Sequence, residues 1–192
     1  DARYVDLGRE LDEAVAGVDG AGFRVTPLVR APAIARAADL GSHGTVWVKD
    51  ETGNVAGSHK ARHLFGILLE LRVAEAIGQG DPASPLAIAS CGNAAYAAAV
   101  VARAAGRELR VFVPTTADAA VVDRLRALDA LVVTFETERV SRAGLVARQE
   151  VRRGGKPLAR ARVDLACLDA ARWKPARIPI DLASAAQPRP AP

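Results

Sequence analysis

Lysine is scarce in this chain: arginine supplies most of the basic charge, and only Lys49, Lys60, Lys156 and Lys174 depart from that habit. Lys60 follows the small-residue stretch Gly57-Ser58-His59 and leads into an apolar run with helical spacing. Arginine stays protonated, whereas a desolvated lysine can lose its proton and attack a carbonyl. Lys60 is therefore a candidate Schiff-base nitrogen; a solvated lysine in a first helical turn is the alternative. A second constellation is Ser90-Cys91-Gly92-Asn93, where a short apolar run gives way to a helical pattern. Such a junction presents backbone N–H groups and the positive end of a helix dipole, which together bind a carboxylate or phosphate. Gly92 permits close approach of a ligand, and Asn93 can both donate and accept. A helix simply capped by Ser90 or Asn93 is the competing explanation. His59 and His63 could share a helix face as metal ligands, but no third ligand accompanies them, and no metal site is expected.

The elements that must position these residues follow from periodicity. Apolar residues at helical spacing predict a helix over 4–16, and Gly20, Gly22, Thr26 and Pro27 mark a loop. A short helix is expected over 31–38 and a strand over 45–49, with a loop from Asp50 to Ser58. Helical spacing returns from His59 to about Ile77. Then come a short buried strand (86–89), a small-residue helix (92–105), a strand (110–113), a helix (117–128) and a strand (131–135). Strands separated by helices of this length argue for βαβ units and a parallel sheet. The fold class expected is α/β, three-layer αβα with a parallel sheet. Beyond Phe135 a polar helix over 138–153 is expected, stopped by Gly154-Gly155. The remainder, 154–192, reads as an irregular basic tail rich in Pro, Ala and Arg, disordered or irregular from about 178.

Composition limits the functions available. The 192 residues are 50% hydrophobic but only 4% aromatic, so the core must come from Ala, Val, Leu and Ile, as in a soluble α/β protein. Two cysteines, Cys91 and Cys167, without a CxxC spacing, argue against a disulfide framework or zinc knuckle and fit a reducing cytoplasm. No run is long and apolar enough for a membrane span, and no signal-peptide pattern opens the chain. The chain has no Met, so Asp1 is read as not being the translated start. Net charge is +4, but residues 1–135 hold 14 Lys/Arg against 16 Asp/Glu, and residues 136–192 hold 12 against 6. A nucleic-acid interface in that basic segment is not expected, because Trp173 is its only aromatic and stacking needs more. Dinucleotide binding is not expected either, since Gly92 lacks the companions of a G-x-G-x-x-G loop.

Taken together, the motifs resemble the fold-type II pyridoxal-phosphate enzymes: threonine synthase, threonine dehydratase, cysteine synthase and the tryptophan synthase β-chain. The landmarks are Thr26-Pro27-Leu28, Lys60 at a loop-to-helix turn, Ser90-Cys91-Gly92-Asn93, Gly106-Arg107 with Val111-Phe112-Val113-Pro114, and Leu125 to Ala130. They occur in the family's order and cover about residues 24–135. The resemblance implies that Lys60 carries pyridoxal 5′-phosphate and that Asn93 bonds the cofactor's 3′-oxygen. It implies that Ser90, Cys91 and Gly92 hold the substrate carboxylate. His59 is similar to the histidine that lies near the cofactor phosphate in the tryptophan synthase branch. The function implied is a lyase or β/γ-replacement reaction on a small-molecule amino acid; a homodimer is left open. The domains expected are 1–43, belonging to the incomplete larger domain, 44–153, the small α/β domain with the motifs, and the tail 154–192.

The chain also departs from that family. The family's phosphate-binding glycine loop lies well downstream of its lysine, but here the last glycine is Gly155. Cys167 comes too early for the residue that meets the pyridine nitrogen. The family's catalytic unit takes about 300 residues or more in two domains. The expectation is a truncated or frame-shifted sequence that is weakly active or inactive; a non-catalytic remnant or interaction module is the alternative.

Overall fold

The computed structural model describes residues 2–41 and 44–179. The stretch 180–192, part of the expected irregular ending, lies outside the described residues. The chain divides into two compact units, 1–86 with 92–108, and 87–91 with 109–192.

The first unit is a helical cluster. Helix α1 (Ala2–Asp19) buries Leu11 and Val15, α3 (Lys60–Ala76) buries Ala61, Leu68 and Leu69, and α4 (Asn93–Ala104) buries Ala95 and all of 97–102. Alanines on α4 let the other two helices pack closely against it, and the 3₁₀ turn Val55–Gly57 packs on it as well. Between α1 and α3 a two-stranded antiparallel ribbon pairs β1 (Leu28–Arg30) with β2 (Trp47–Lys49), Val29 facing Val48. Helix α2 (Pro32–Ala37) begins at a proline, whose missing N–H is no loss in a first turn. Arg107, after α4, is tied to this unit by an ion pair with Glu75 and a bond to the Ser84 carbonyl. Its side chain is 8% exposed, so the pair is a buried one.

The second unit is a five-stranded sheet in the order β3 (Leu86–Ala89), β4 (Leu109–Pro114), β5 (Leu131–Val140), β6 (Gly144–Arg153), β7 (Lys156–Ala166). β4 and β5 are parallel, Arg110 facing Leu131 and Pro114 facing Phe135. The bonds from Leu86 to the Glu108 carbonyl and from Ser90 to that of Phe112 advance in one direction, so β3 runs parallel to β4. Helix α5 (Ala119–Ala127) is capped by Asp118, which accepts from the Ala120 N–H at 2.7 Å, and packs on β5 with Leu125 fully buried. The βαβ expectation is met over this stretch, and the element ends lie within a few residues of those expected.

Beyond Phe135 the structure corrects the sequence reading. The expected polar helix over 138–153 is instead the end of β5 followed by β6, and residues 156–166 of the expected irregular tail form β7. Both pairings are antiparallel, so the sheet is mixed. Gly154 and Gly155, expected to stop a helix, have φ of 54° and 80° and form the two-residue turn of a hairpin in which Arg153 pairs with Lys156. Ion pairs link the three antiparallel strands: Glu138 of β5 with Arg148 of β6 (2.7 Å) and Arg162 of β7 (2.9 Å), and Glu150 of β6 with Arg160 of β7, while Arg152 pairs with Glu150 along the same strand. β3 is also less buried than expected, since it lies at the sheet edge with Ala87 and Ala89 exposed. A further small ribbon pairs β8 (Leu168–Asp169) with β9 (Lys174–Pro175). The result is an α/β chain whose second unit is a mixed sheet with α5 packed on it.

Candidate functional site

Lys60 is the first residue of α3, and the chain reaches it through a tight turn. The Gly57 N–H bonds the Asn54 carbonyl at 2.8 Å, and that of Ser58 bonds Val55 at 3.4 Å. Ala56 sits in the left-handed region at φ 55°, its N–H donated to Asp19 Oδ1 at 3.0 Å. Ser58 is buried, and its Oγ accepts from the Lys60 N–H at 3.2 Å, satisfying one of the orphan donors of the helix start. The Lys60 side chain is exposed and has no hydrogen bond or ion pair among the described residues. His59 precedes it, exposed, and makes no side-chain cap bond.

Sequence reasoning missed the groups that brace this turn. The Glu51 carboxylate accepts from Thr26 Oγ1 (2.5 Å), Asn54 Nδ2 (2.8 Å) and Arg62 Nε (3.0 Å). The Thr26 hydroxyl above all, and the Arg62 and Asn54 donors with it, hold the Glu51 carboxyl below the usual carboxylate range against the opposing effect of burial. Lys49, another of the rare lysines, donates from Nζ to the Thr26 carbonyl at 2.5 Å, which accounts for it structurally. Thr26 was visible as part of a landmark. Glu51 and Arg62, on either side of the turn and opposite in charge, were the available signal for the rest.

The second motif straddles the two units: Lys60, His59, Gly92 and Asn93 belong to the first, Ser90 and Cys91 to the second. Ser90 follows β3. The N-cap position of α4 is taken by Gly92, which has no side chain to cap with, rather than by Ser90 or Asn93. Cys91 and Asn93 are exposed, and Ser90 and Gly92 half-buried. A Cβ built on Gly92 would meet nothing within 4 Å, so a side chain there would occupy open space before the first turn of α4. Within the first unit, α4 packs on both α3 and the turn that carries Lys60.

An exposed amine without a bonded partner, as at Lys60, fits the aldehyde of a carbonyl cofactor, and the open space at Gly92 leaves room beside the start of α4. A phosphate is not provided for in the same way. Gly154-Gly155 is spent on a hairpin turn, and no other pair of adjacent glycines exists in the chain. Both cysteines are free, with the Cys167 thiol 3.8 Å from the Arg177 carbonyl. Among the described residues no group of three His, Cys, Asp or Glu could hold a metal ion, and no helix is long and apolar enough to cross a membrane.

A lysine opening one helix and a glycine-capped helix after the next strand, in an α/β chain, define a class: the fold-type II pyridoxal-phosphate enzymes. A family model described as pyridoxal-phosphate dependent enzyme matches residues 21–164, and the chain belongs to that family. The family's cofactor is pyridoxal 5′-phosphate. Among solved structures, O-ureido-L-serine synthase is 28% identical with a TM-score of 0.49, over 64% of this chain and 34% of that one. A pyridoxal 5′-phosphate-dependent aspartate racemase is 25% identical with a TM-score of 0.48, over 66% and 37%. Cysteine synthase from Entamoeba histolytica is 20% identical with a TM-score of 0.51, over 63% and 34%, a likeness of fold alone. The matches cover little more than a third of those proteins' lengths. No curated protein matches the sequence.

Proposed function

We propose that this chain is the lysine-bearing part of a pyridoxal-phosphate enzyme that carries out elimination or β/γ-replacement on an amino acid, of the threonine synthase and dehydratase kind. The observation that carries the reading is the Lys60 amine, exposed and unpartnered at the head of α3 on a braced turn. In this reading Lys60 holds the cofactor and, once freed, takes the proton from the substrate Cα as general base. The cofactor ring, when bound, supplies the electron sink for that step. Ser90, Cys91 and Gly92 would receive the substrate carboxylate, Asn93 would bond the 3′-oxygen of the ring, and His59 would serve the phosphate. Two unbonded cysteines suit a reducing cytoplasm.

The test is incubation with pyridoxal 5′-phosphate, borohydride reduction and peptide mapping. The expected result is a single modified peptide containing Lys60, absent from Lys60→Ala, with a visible absorption band lost in the same variant. Equal labelling of Lys49, Lys156 or Lys174 would sink the assignment. A second reading, a non-catalytic module that keeps only this α/β core, is favoured by the use of Gly154-Gly155 in a hairpin rather than a phosphate cradle. A folded protein without saturable uptake of the cofactor would decide for that reading.

A further inference from the structure

The Glu51 carboxylate accepts three side-chain hydrogen bonds near Lys60, yet it has no part in the chemistry assigned above. Its side chain is 14% exposed, and its three donors come from three different segments. Thr26 belongs to the loop before β1, Asn54 opens the turn, and Arg62 lies on α3 two residues beyond Lys60. Arg62 is itself fixed, donating to the Arg24 carbonyl at 2.7 Å and lying 5.9 Å from the centre of the Phe23 ring. One carboxylate therefore ties down the backbone on both sides of Lys60. Thr26 and Asn54 are buried, and Asn54 Oδ1 is buried without a partner. Glu51 accepts from that amide and from the Thr26 hydroxyl, and its loss would leave both buried donors without this acceptor, although the hydroxyl oxygen also accepts from Arg62 Nη2 at 3.5 Å. The same turn already holds a non-glycine residue, Ala56, in the left-handed region, a conformation that persists only where its surroundings enforce it.

We infer that Glu51 is a positioning residue for Lys60: by clamping Asn54 and Arg62 to Thr26, it makes the turn present the amine from one backbone conformation. The inference rests on Lys60 being the cofactor lysine. Its consequence is orientation rather than attachment, because an exposed amine can react from a loose turn but cannot then hold its product in a fixed pose. A misplacement of about 1 Å is enough to cost on the order of a hundredfold in rate.

The test uses the full chain and Glu51→Gln, which keeps the size of the side chain but turns an acceptor toward its donors into a donor. Two readouts are needed. Amide hydrogen exchange at Gly57, Ser58 and Lys60 is expected to quicken by roughly tenfold or more, the factor for losing hydrogen bonds to a charged group, while 97–102 of α4 stay unchanged. With pyridoxal 5′-phosphate, the variant is expected to take up cofactor at Lys60 while its visible-band ellipticity per bound cofactor falls at least twofold. Thr26→Val, isosteric and lacking one donor, should move both readouts in the same direction by less, and carries the test if Glu51→Gln does not fold. Unchanged exchange at 57–60, an equal rise throughout α4, or full ellipticity in both variants would overturn the inference. If the unaltered protein takes up no cofactor, the cofactor reading fails, and the exchange contrast alone decides whether Glu51 fixes the turn.

Discussion

Asp129 shows how a single residue can depart from the local rule and still keep the fold. Helices α3 and α4 are followed by glycines in the left-handed region, Gly78 at φ 75° and Gly106 at φ 66°. Helix α5 closes in the same way, with the Asp129 N–H on the Arg126 carbonyl (3.0 Å) and that of Ala130 on Leu125 (3.1 Å), but Asp129 is an L-residue at φ 59°. A side chain there costs about 1 kcal/mol relative to glycine, although Asp tolerates it better than most. Its partner Arg153 is 3.9 Å away and both side chains are largely exposed, so that contact offsets little. Asp129→Gly is expected to raise the unfolding free energy by about 0.5–1 kcal/mol, read from the urea midpoint. A lower midpoint would mean that the contact with Arg153 outweighs the backbone strain. The helix end itself was legible, because the apolar spacing of α5 stops at Leu128. The Glu51 clamp was not, because its partners lie 25, 3 and 11 residues away and no helical or strand period links them.

At the scale of elements, legibility follows periodicity. The parallel core β3–α4–β4–α5–β5 was legible because each apolar run is short, α4 is closed by Gly106, and the apolar spacing of α5 stops at Leu128. The hairpin after it was misread because its charge concealed the alternation. Arg148, Glu150 and Arg152 alternate along β6 with Ala147, Gln149 and Val151, a period of two that a polar composition made look helical. Part of the positive charge of this region is engaged, since Arg148, Arg152, Arg160 and Arg162 all pair with Glu138 or Glu150. The Arg162 side chain foremost for Glu138, and that of Arg160 for Glu150, hold both carboxyls below their ordinary range. A carboxyl depressed in the folded state adds stability that is complete above its unfolded value, about 4.3, and is lost as pH falls through the folded one. The melting temperature should therefore drop more steeply below about pH 4.3 than in Glu138→Gln/Glu150→Gln, whose profile should be flatter and whose stability at pH 7 should be lower. Parallel profiles in thermal melts followed by circular dichroism would remove these pairs from the account of the hairpin.

For the molecule as a whole, the question is which parts of a phosphorylated cofactor the chain can hold. The amine of Lys60 and the open space at Gly92 suit the reacting end, whereas the adjacent glycines that could have wrapped a phosphate form the turn between β6 and β7. Phosphate recognition normally relies on several backbone N–H groups converging in such a loop, with a helix dipole behind them. Without that loop, the phosphate should add little to binding. The comparison that isolates it is pyridoxal 5′-phosphate against 5′-deoxypyridoxal, which has the same aldehyde and pyridine ring, lacks the phosphate and cannot close on itself as a hemiacetal. The two are expected to attach at Lys60 with equilibrium constants within about threefold, roughly 0.7 kcal/mol, after correction for their reaction with a free lysine peptide. Inorganic phosphate should compete with neither beyond a general salt effect. A preference of more than about thirtyfold for the phosphorylated compound, relieved by inorganic phosphate, would reveal an anion site in this chain, with His59 the first residue to replace.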